Sequence, residues 1–166
     1  MKRIIYIVAV IIISVFTFTS CEDINNYTGE MSSASDSVPS SLDNIQEAVR
    51  EAQSAFESGD VEGTKIGISK LVEISEDQLY SKNERMIAEF CAIYINTGIR
   101  LDYIIKNDNQ WVQEHDVDTF SVLHGSIFVD VINGEVRNNE MMNEYLVGLM
   151  QSAREINVHY NELMSN

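Results

Sequence analysis

The chain contains one proline, two cysteines and few basic residues, and each shortage excludes a class of protein. With Pro39 as the single proline in 166 residues, long stretches are free to form helices. Two cysteines cannot build the disulfide framework of a small secreted domain. Eleven basic residues against 26 acidic ones give a formal charge of −15, and such a surface repels the phosphates of nucleic acids. We therefore expect no nucleic-acid partner.

Motifs that mark catalytic sites are also missing from the sequence. There is no Gly-x-Ser-x-Gly, and His124-Gly125-Ser126 lies in an amphipathic run rather than at a strand-to-helix turn. None of the eight glycines belongs to a Gly-x-x-x-x-Gly-Lys phosphate loop. A dimetal helical bundle needs two Glu-x-x-His motifs, and the chain has none. We expect a protein that is not an enzyme and that holds neither a cofactor nor a metal.

The histidines and the second cysteine allow a metal-binding or enzymatic bundle only as an alternative. Glu155 and His159 are four residues apart, a spacing that a simple surface pair on a helix explains equally well. His124 lies on an apolar stripe, which favours a hydrogen-bonded core histidine over a metal ligand. Cys91 has no basic neighbour that would activate a thiol, so we expect a small buried side chain there.

Trp111, the only tryptophan, falls in a predicted connection over residues 110–116 and has acidic residues close by. An exposed tryptophan is a frequent anchor for a protein partner, whereas the alternative is one that covers the end of its own bundle. Glu114, Asp116 and Asp118 lack the oxygen spacing and the central glycine of a calcium loop. Trp111, Glu114, Asp116 and Asp118 are the candidate partner-binding residues.

The N-terminus has the parts of a secretion signal. The basic pair Lys2-Arg3 precedes a mostly apolar run over residues 4–18, and a small residue then leads to Cys21. An uncleaved transmembrane anchor needs about 20 apolar residues. Because this run is shorter and the acidic pair Glu22-Asp23 follows Cys21 at once, the pattern favours a signal peptide over an anchor.

The sequence Phe18-Thr19-Ser20-Cys21 resembles the lipobox of bacterial lipoproteins. Ser20 meets the small-residue requirement, while Phe18 stands where that family usually has leucine. The resemblance implies that Cys21 receives diacylglycerol and palmitate and anchors the chain to a membrane. The acidic pair Glu22-Asp23 resembles the surface-export signal of some Gram-negative lipoproteins, which implies an outer-membrane, surface-exposed location.

The acidic charge bears on the kind of partner. Signal cleavage would remove Lys2 and Arg3 but no acidic residue, so the formal charge would fall from −15 to −17. No lysine occurs after Lys106. Such a charge would steer a basic protein or peptide toward the surface, although a solvated acidic face needs no partner at all. We expect a protein–protein interaction module or scaffold; the alternative is an acidic inhibitor or immunity-type protein that binds a basic toxin.

The sequence divides into three segments. Residues 1–20 are the predicted signal peptide, and residues 21–39, which are polar and poor in large apolar side chains, are a predicted disordered tether. Residues 40–166 form one predicted helical domain. We expect an all-α antiparallel bundle of about five amphipathic helices, which begin after Ser40, Asp60, Ser81, Asp116 or Asp118, and Asn139.

The first two helices are expected to form a tight hairpin. Gly63 and Gly67 each disfavour a helix, and a close approach to small residues of the first helix would compensate for that cost. The second helix is predicted to run to Tyr80. Its candidate core residues are Val61, Ile68, Leu71, Val72 and Leu79.

The hairpin is similar to one tetratricopeptide (TPR) unit. Ala52, Phe56, the Gly59-Asp60 turn, Ile68 and Leu71 fall near the small, turn and large positions of that repeat. Thr64 stands where the repeat usually has alanine, and no second copy follows at the same period. A generic helical hairpin is the alternative.

The fifth helix has the strictest pattern in the sequence. Its apolar positions alternate in steps of four and three, which is a heptad seam that can pack in its own bundle or against another copy. The seam consists of Met142, Leu146, Leu149, Ala153, Ile156, Tyr160 and Leu163.

Overall fold

The computed structural model describes residues 41–165, which form a bundle of six α-helices and one π-helical turn. No strand occurs between residues 41 and 165, so the predicted all-α class is confirmed. The predicted signal peptide, Cys21 and the tether lie outside the described residues. The elements are α1 (Ser41–Ser58), α2 (Val61–Glu76), α3 (Lys82–Asn107), α4 (Asn109–Glu114), the π-helical turn (Thr119–Leu123), α5 (His124–Ile132) and α6 (Asn139–Ser165).

Helices α1 and α2 form the predicted hairpin around a two-residue turn. Gly59 has a φ of +76°, a left-handed conformation that glycine adopts without steric cost. The side chain of Asp60 then caps α2 by accepting a hydrogen bond from the backbone N–H of Gly63 at 2.9 Å. The stop and restart predicted at this turn are therefore confirmed.

Gly67 allows the two helices of the hairpin to touch at the backbone. A Cβ atom at this position would lie 2.7 Å from the N, Cα and Cβ atoms of Ala52 on α1. A Cβ at Gly63 would lie 3.0 Å from the Cβ of Ala55. The close approach predicted for both glycines is confirmed.

Helix α2 ends at Glu76, four residues before the predicted end at Tyr80. The Asp77 side chain accepts a hydrogen bond from the backbone N–H of Leu79 at 2.9 Å and so stabilises a turn there. Three predicted core residues are wrong, since Val61, Val72 and Leu79 are 68 %, 41 % and 92 % exposed. The predicted apolar stripe of the second helix therefore includes residues that α1 and α3 leave exposed.

Helix α3 is central and packs against α1, α2, α4, α5 and α6. Its N-terminus has the predicted capping box, in which Ser81 and Glu84 exchange side-chain to backbone hydrogen bonds. Tyr94 stacks on Phe120 and Phe128, with ring centroids 5.5 and 4.6 Å away. Cys91 is fully buried as predicted, and burial raises the pKa of its thiol.

Helix α6 packs along α3 through the predicted heptad seam. Met142, Leu146, Leu149, Ala153 and Ile156 are buried, while the last two seam residues are partly buried. At the far end, Arg100 of α3 donates to the Asn157 side chain at 2.9 Å and lies over the Tyr160 ring. The heptad seam therefore packs within the chain's own bundle.

The segment between α3 and α5 differs from the prediction. Residues 110–114, predicted to lie in a connection, belong to the short helix α4, which begins at Asn109 because Asp108 caps its N-terminus. Asp116 was predicted as a possible helix cap, and its side chain does accept hydrogen bonds from the backbone N–H and the hydroxyl of Thr119. The predicted end at Asn133-Gly134 is confirmed, with a φ of +72° at Gly134.

Candidate functional site

One carboxylate joins the α3–α4 corner to α6. The backbone N–H of Asp108 donates to the carbonyl of Ile104 and so closes α3. Its Oδ1 accepts from the backbone N–H of Trp111 at 3.1 Å and so caps α4. Its Oδ2 lies 3.0 Å from Nε2 of His159 on α6. Asp108 therefore fixes where α4 sits on the bundle.

Trp111 is stacked between two histidines. Its ring centroid lies 4.1 Å from that of His115, at an interplanar angle of 15°, and 4.5 Å from that of His159, at 3°. Nδ1 of His115 lies 2.8 Å from the carbonyl oxygen of Trp111, which can only accept, so Nδ1 carries the proton. The two imidazoles therefore cover both faces of the indole, and the edge of the ring remains for contact with another group.

An open pocket of about 420 Å³ lies beside this stack. Glu155 and Glu162 contribute two exposed carboxylates, and Arg154 contributes one guanidinium. Val158 adds an apolar side chain that is 52 % exposed. The pocket thus combines an aromatic edge, an aliphatic side chain and a net negative lining.

Of the four candidate partner-binding residues, only Trp111 lines this pocket. Glu114 accepts a hydrogen bond from Gln110 along α4. Asp116 serves as the cap before the π-helical turn, and its hydrogen bonds with Thr119 lower the pKa of its carboxyl. Asp118 is exposed and makes no capping hydrogen bond. Their proximity in sequence does not bring the three acids into one site.

The residues that complete the pocket come from α6. Asp108 and His159 meet across 51 positions of sequence, and no local pattern reports such a contact. The spacing of Glu155 and His159 placed both on one helix face, and both do line the pocket. His159 pairs, however, with Asp108 and with Glu162, whose Oε2 lies 3.6 Å from Nδ1.

His124 occupies a second polar position, inside the bundle. It is 2 % exposed, and its Nε2 lies 2.9 Å from the Ser152 hydroxyl oxygen. Burial lowers the pKa of this imidazole. Its Nδ1 has no hydrogen-bond partner among the described residues, so the pair lacks the third group that orients a catalytic base. His124 is thus the hydrogen-bonded core histidine that the sequence favours.

A second pocket, of about 300 Å³, lies between α1 and α2. Lys70 projects from α2 and forms an ion pair with Glu51 across the hairpin. Their hydrogen bond raises the pKa of the Lys70 ammonium. Because Glu47 and Glu73 also line this pocket, the lysine balances part of an acidic surface on the hairpin.

Residues 41–165 contain neither a grouped metal site nor a membrane-spanning helix. No three His, Cys, Asp or Glu side chains in that range are grouped so that they could hold a metal ion. None of the helices described is long and apolar enough to span a membrane.

No protein-family model matches the chain, and neither a curated protein nor a solved structure matches it.

Proposed function

We propose that the protein is a lipid-anchored, non-enzymatic interaction module of a Gram-negative cell envelope, which binds a basic segment of a partner protein beside Trp111. The observation that carries the binding site is the pocket of about 420 Å³ between α4 and α6. It contains the only tryptophan of the chain, an exposed valine and two exposed glutamates.

The chemistry of the pocket favours a basic side chain as the bound group. Lysine and arginine carry an apolar stem and a charged head, which would contact Val158 and the two carboxylates of Glu155 and Glu162 respectively. The formal charge of −15 attracts such a partner over longer distances. Stacking of a nucleobase on Trp111 is disfavoured, because imidazoles cover both faces of the indole.

The location rests on the lipobox-like segment that ends at Cys21. A metabolic fatty-acid label should enter the wild-type chain and should be lost from the Cys21→Ala variant, with equal amounts of protein compared. Equal labelling of the two chains would refute the anchor and leave the pocket proposal standing.

The binding site is tested by charge reversal at the pocket. Glu155→Lys with Glu162→Lys reverses the acidic lining, whereas Glu89→Lys with Glu144→Lys makes the same change in net charge at exposed positions elsewhere. We expect cross-linking and pull-down from envelope extracts to recover a partner with the wild type and the control pair but not with the pocket pair. Cross-linked peptides should map to a basic segment. Equal recovery with both pairs would refute the site.

A second candidate is an inhibitor or immunity-type protein that neutralises a basic toxin. The observation that favours it is the charge, with 26 acidic side chains against 11 basic ones in a small chain. Deletion of the gene should then sensitise the cell to the toxin of a neighbouring gene. Unchanged sensitivity after deletion would argue against this candidate.

A further inference from the structure

His159 lies beside two carboxylates, those of Asp108 and Glu162. Asp108 Oδ2 lies 3.0 Å from Nε2, and Glu162 Oε2 lies 3.6 Å from Nδ1. The contact with Asp108 is a hydrogen bond that a neutral ring can donate, and it becomes a charge-assisted ion pair when the ring is protonated. Protonation of His159 would therefore strengthen its contact with Asp108 and add an attraction to Glu162.

The same ring is stacked on Trp111. The two rings are almost parallel, at 3°, and their centroids are 4.5 Å apart. A cation within about 6 Å of an indole centroid is attracted to the face of the ring. Protonation of His159 would strengthen this contact together with the ion pair to Asp108, and both contacts hold α4 against α6.

We propose that His159 is a pH-dependent clamp: its protonation holds α4 on α6, and its deprotonation loosens Trp111 and widens the adjoining pocket. The clamp consists of contacts within the chain, so it stands whether or not a partner binds there. If the pocket does bind a partner, the clamp would make that binding depend on pH.

Charged groups face the clamp from each element packed around it. On α6, Glu155 and Glu162 favour the imidazolium, and Arg154 opposes it. Asp108 approaches from the α3–α4 corner and favours it. His115, at the end of α4, covers the opposite face of Trp111 and is a second imidazole in contact with it. A test must therefore separate His159 from His115.

Trp111 is the only tryptophan, so its fluorescence reports on the clamp in the full chain. The measurement is acrylamide quenching of its emission in detergent micelles, because acrylamide is uncharged and tests access to the indole alone. We expect the quenching constant of the wild type to rise by roughly twofold from about pH 5 to about pH 8, the range in which histidine changes charge. Far-UV circular dichroism identifies the pH range over which the helix content is constant. Quenching constants are compared only within that pH range.

Three variants assign the change. His159→Gln should abolish the pH dependence of quenching, and His115→Gln, which alters the other face of Trp111, should retain it. Asp108→Asn keeps a capping side chain but removes the charge that pairs with the imidazolium, so it should reduce the pH-dependent change in quenching. The proposal is overturned by a wild-type quenching constant that does not change with pH, by an unaltered response in His159→Gln, by loss of the response in His115→Gln, or by an undiminished response in Asp108→Asn.

Discussion

At the scale of single residues, Gly67 decides how closely α1 and α2 can pack. Replacing it with alanine would place a Cβ 2.7 Å from backbone atoms of Ala52, so the helices must separate. We expect Gly67→Ala to lower the free energy of unfolding by about 1–3 kcal/mol, as overpacking does. Urea denaturation monitored by circular dichroism measures the change.

Gly98 on α3 is the matched control, because a Cβ there would meet nothing within 4 Å. Helix propensity alone then applies, and Gly98→Ala should raise the free energy of unfolding by about 0.4–1 kcal/mol. A destabilised Gly98→Ala, or a stabilised Gly67→Ala, would contradict the packing described for the hairpin.

His124 should make the fold sensitive to acid. Burial lowers its pKa below the ordinary value of 6.5, so the unfolded chain binds the proton more readily than the folded chain. The contribution of neutral His124 to folding stability is fully present above the pKa that this group has in the unfolded chain. It is lost as the pH falls through the pKa that the group has in the folded chain. We expect the protonation of His124 to lower the urea midpoint between pH 7 and pH 5, an effect that is measured against a variant without this imidazole.

The variant His124→Gln separates this effect from other titrating groups. Glutamine can still form a hydrogen bond with Ser152 but carries no titrating proton. The fall in urea midpoint from pH 7 to pH 5 should therefore be smaller in the variant, whatever its stability at pH 7. An identical fall in both proteins would show that His124 is not the responsible group.

At the scale of elements, α6 is joined to the bundle by its heptad seam. Leu149 is fully buried against α3, and its truncation in Leu149→Ala should cost about 2–5 kcal/mol of unfolding free energy. Val147, two residues earlier on the same helix, is 47 % exposed, and Val147→Ala should change stability by no more than about 0.5 kcal/mol. Equal losses in the two variants by urea denaturation would refute the assigned face of α6.

The helix termini were predictable because their signals are local. Asp60, the Ser81–Glu84 capping box and Gly134 each report on a backbone conformation within a few residues. The exposed faces were less predictable. Val72 and Leu79 extend the apolar pattern of α2, yet residues 41–165 leave both side chains exposed. A helix's own spacing does not reveal how many neighbours pack against it.

The candidate site was only partly predictable for a related reason. Trp111 could be identified because it is the only tryptophan and has acidic neighbours. Its actual contacts come from His159 and Asp108, whose meeting depends on how α6 returns along α3. The acids nearest in sequence, Glu114 and Asp116, form local hydrogen bonds instead. The spacing of neighbouring residues does not predict a site that forms between elements far apart in the sequence.

At the scale of the whole molecule, the excess of acidic side chains works against the compact state. A formal charge of −15 means that folding brings like charges together, and the repulsion is screened by salt. Several ion pairs, such as Lys70 with Glu51 and Lys106 with Asp102, are exposed, so screening them costs little. Repulsion should therefore outweigh attraction in the response to ionic strength.

We expect the midpoint of thermal unfolding at pH 7.5 to rise as sodium chloride increases from about 0.01 to about 0.3 M, over which the Debye length shortens from about 30 Å to below 8 Å. Potassium chloride should act equally, because screening depends on ionic strength rather than on a bound ion. The control variant is Glu89→Lys with Glu144→Lys, which reduces the negative charge at exposed positions. Its response to salt should be smaller than that of the wild type. A midpoint that falls with salt in the wild type would instead show that the ion pairs outweigh the repulsion.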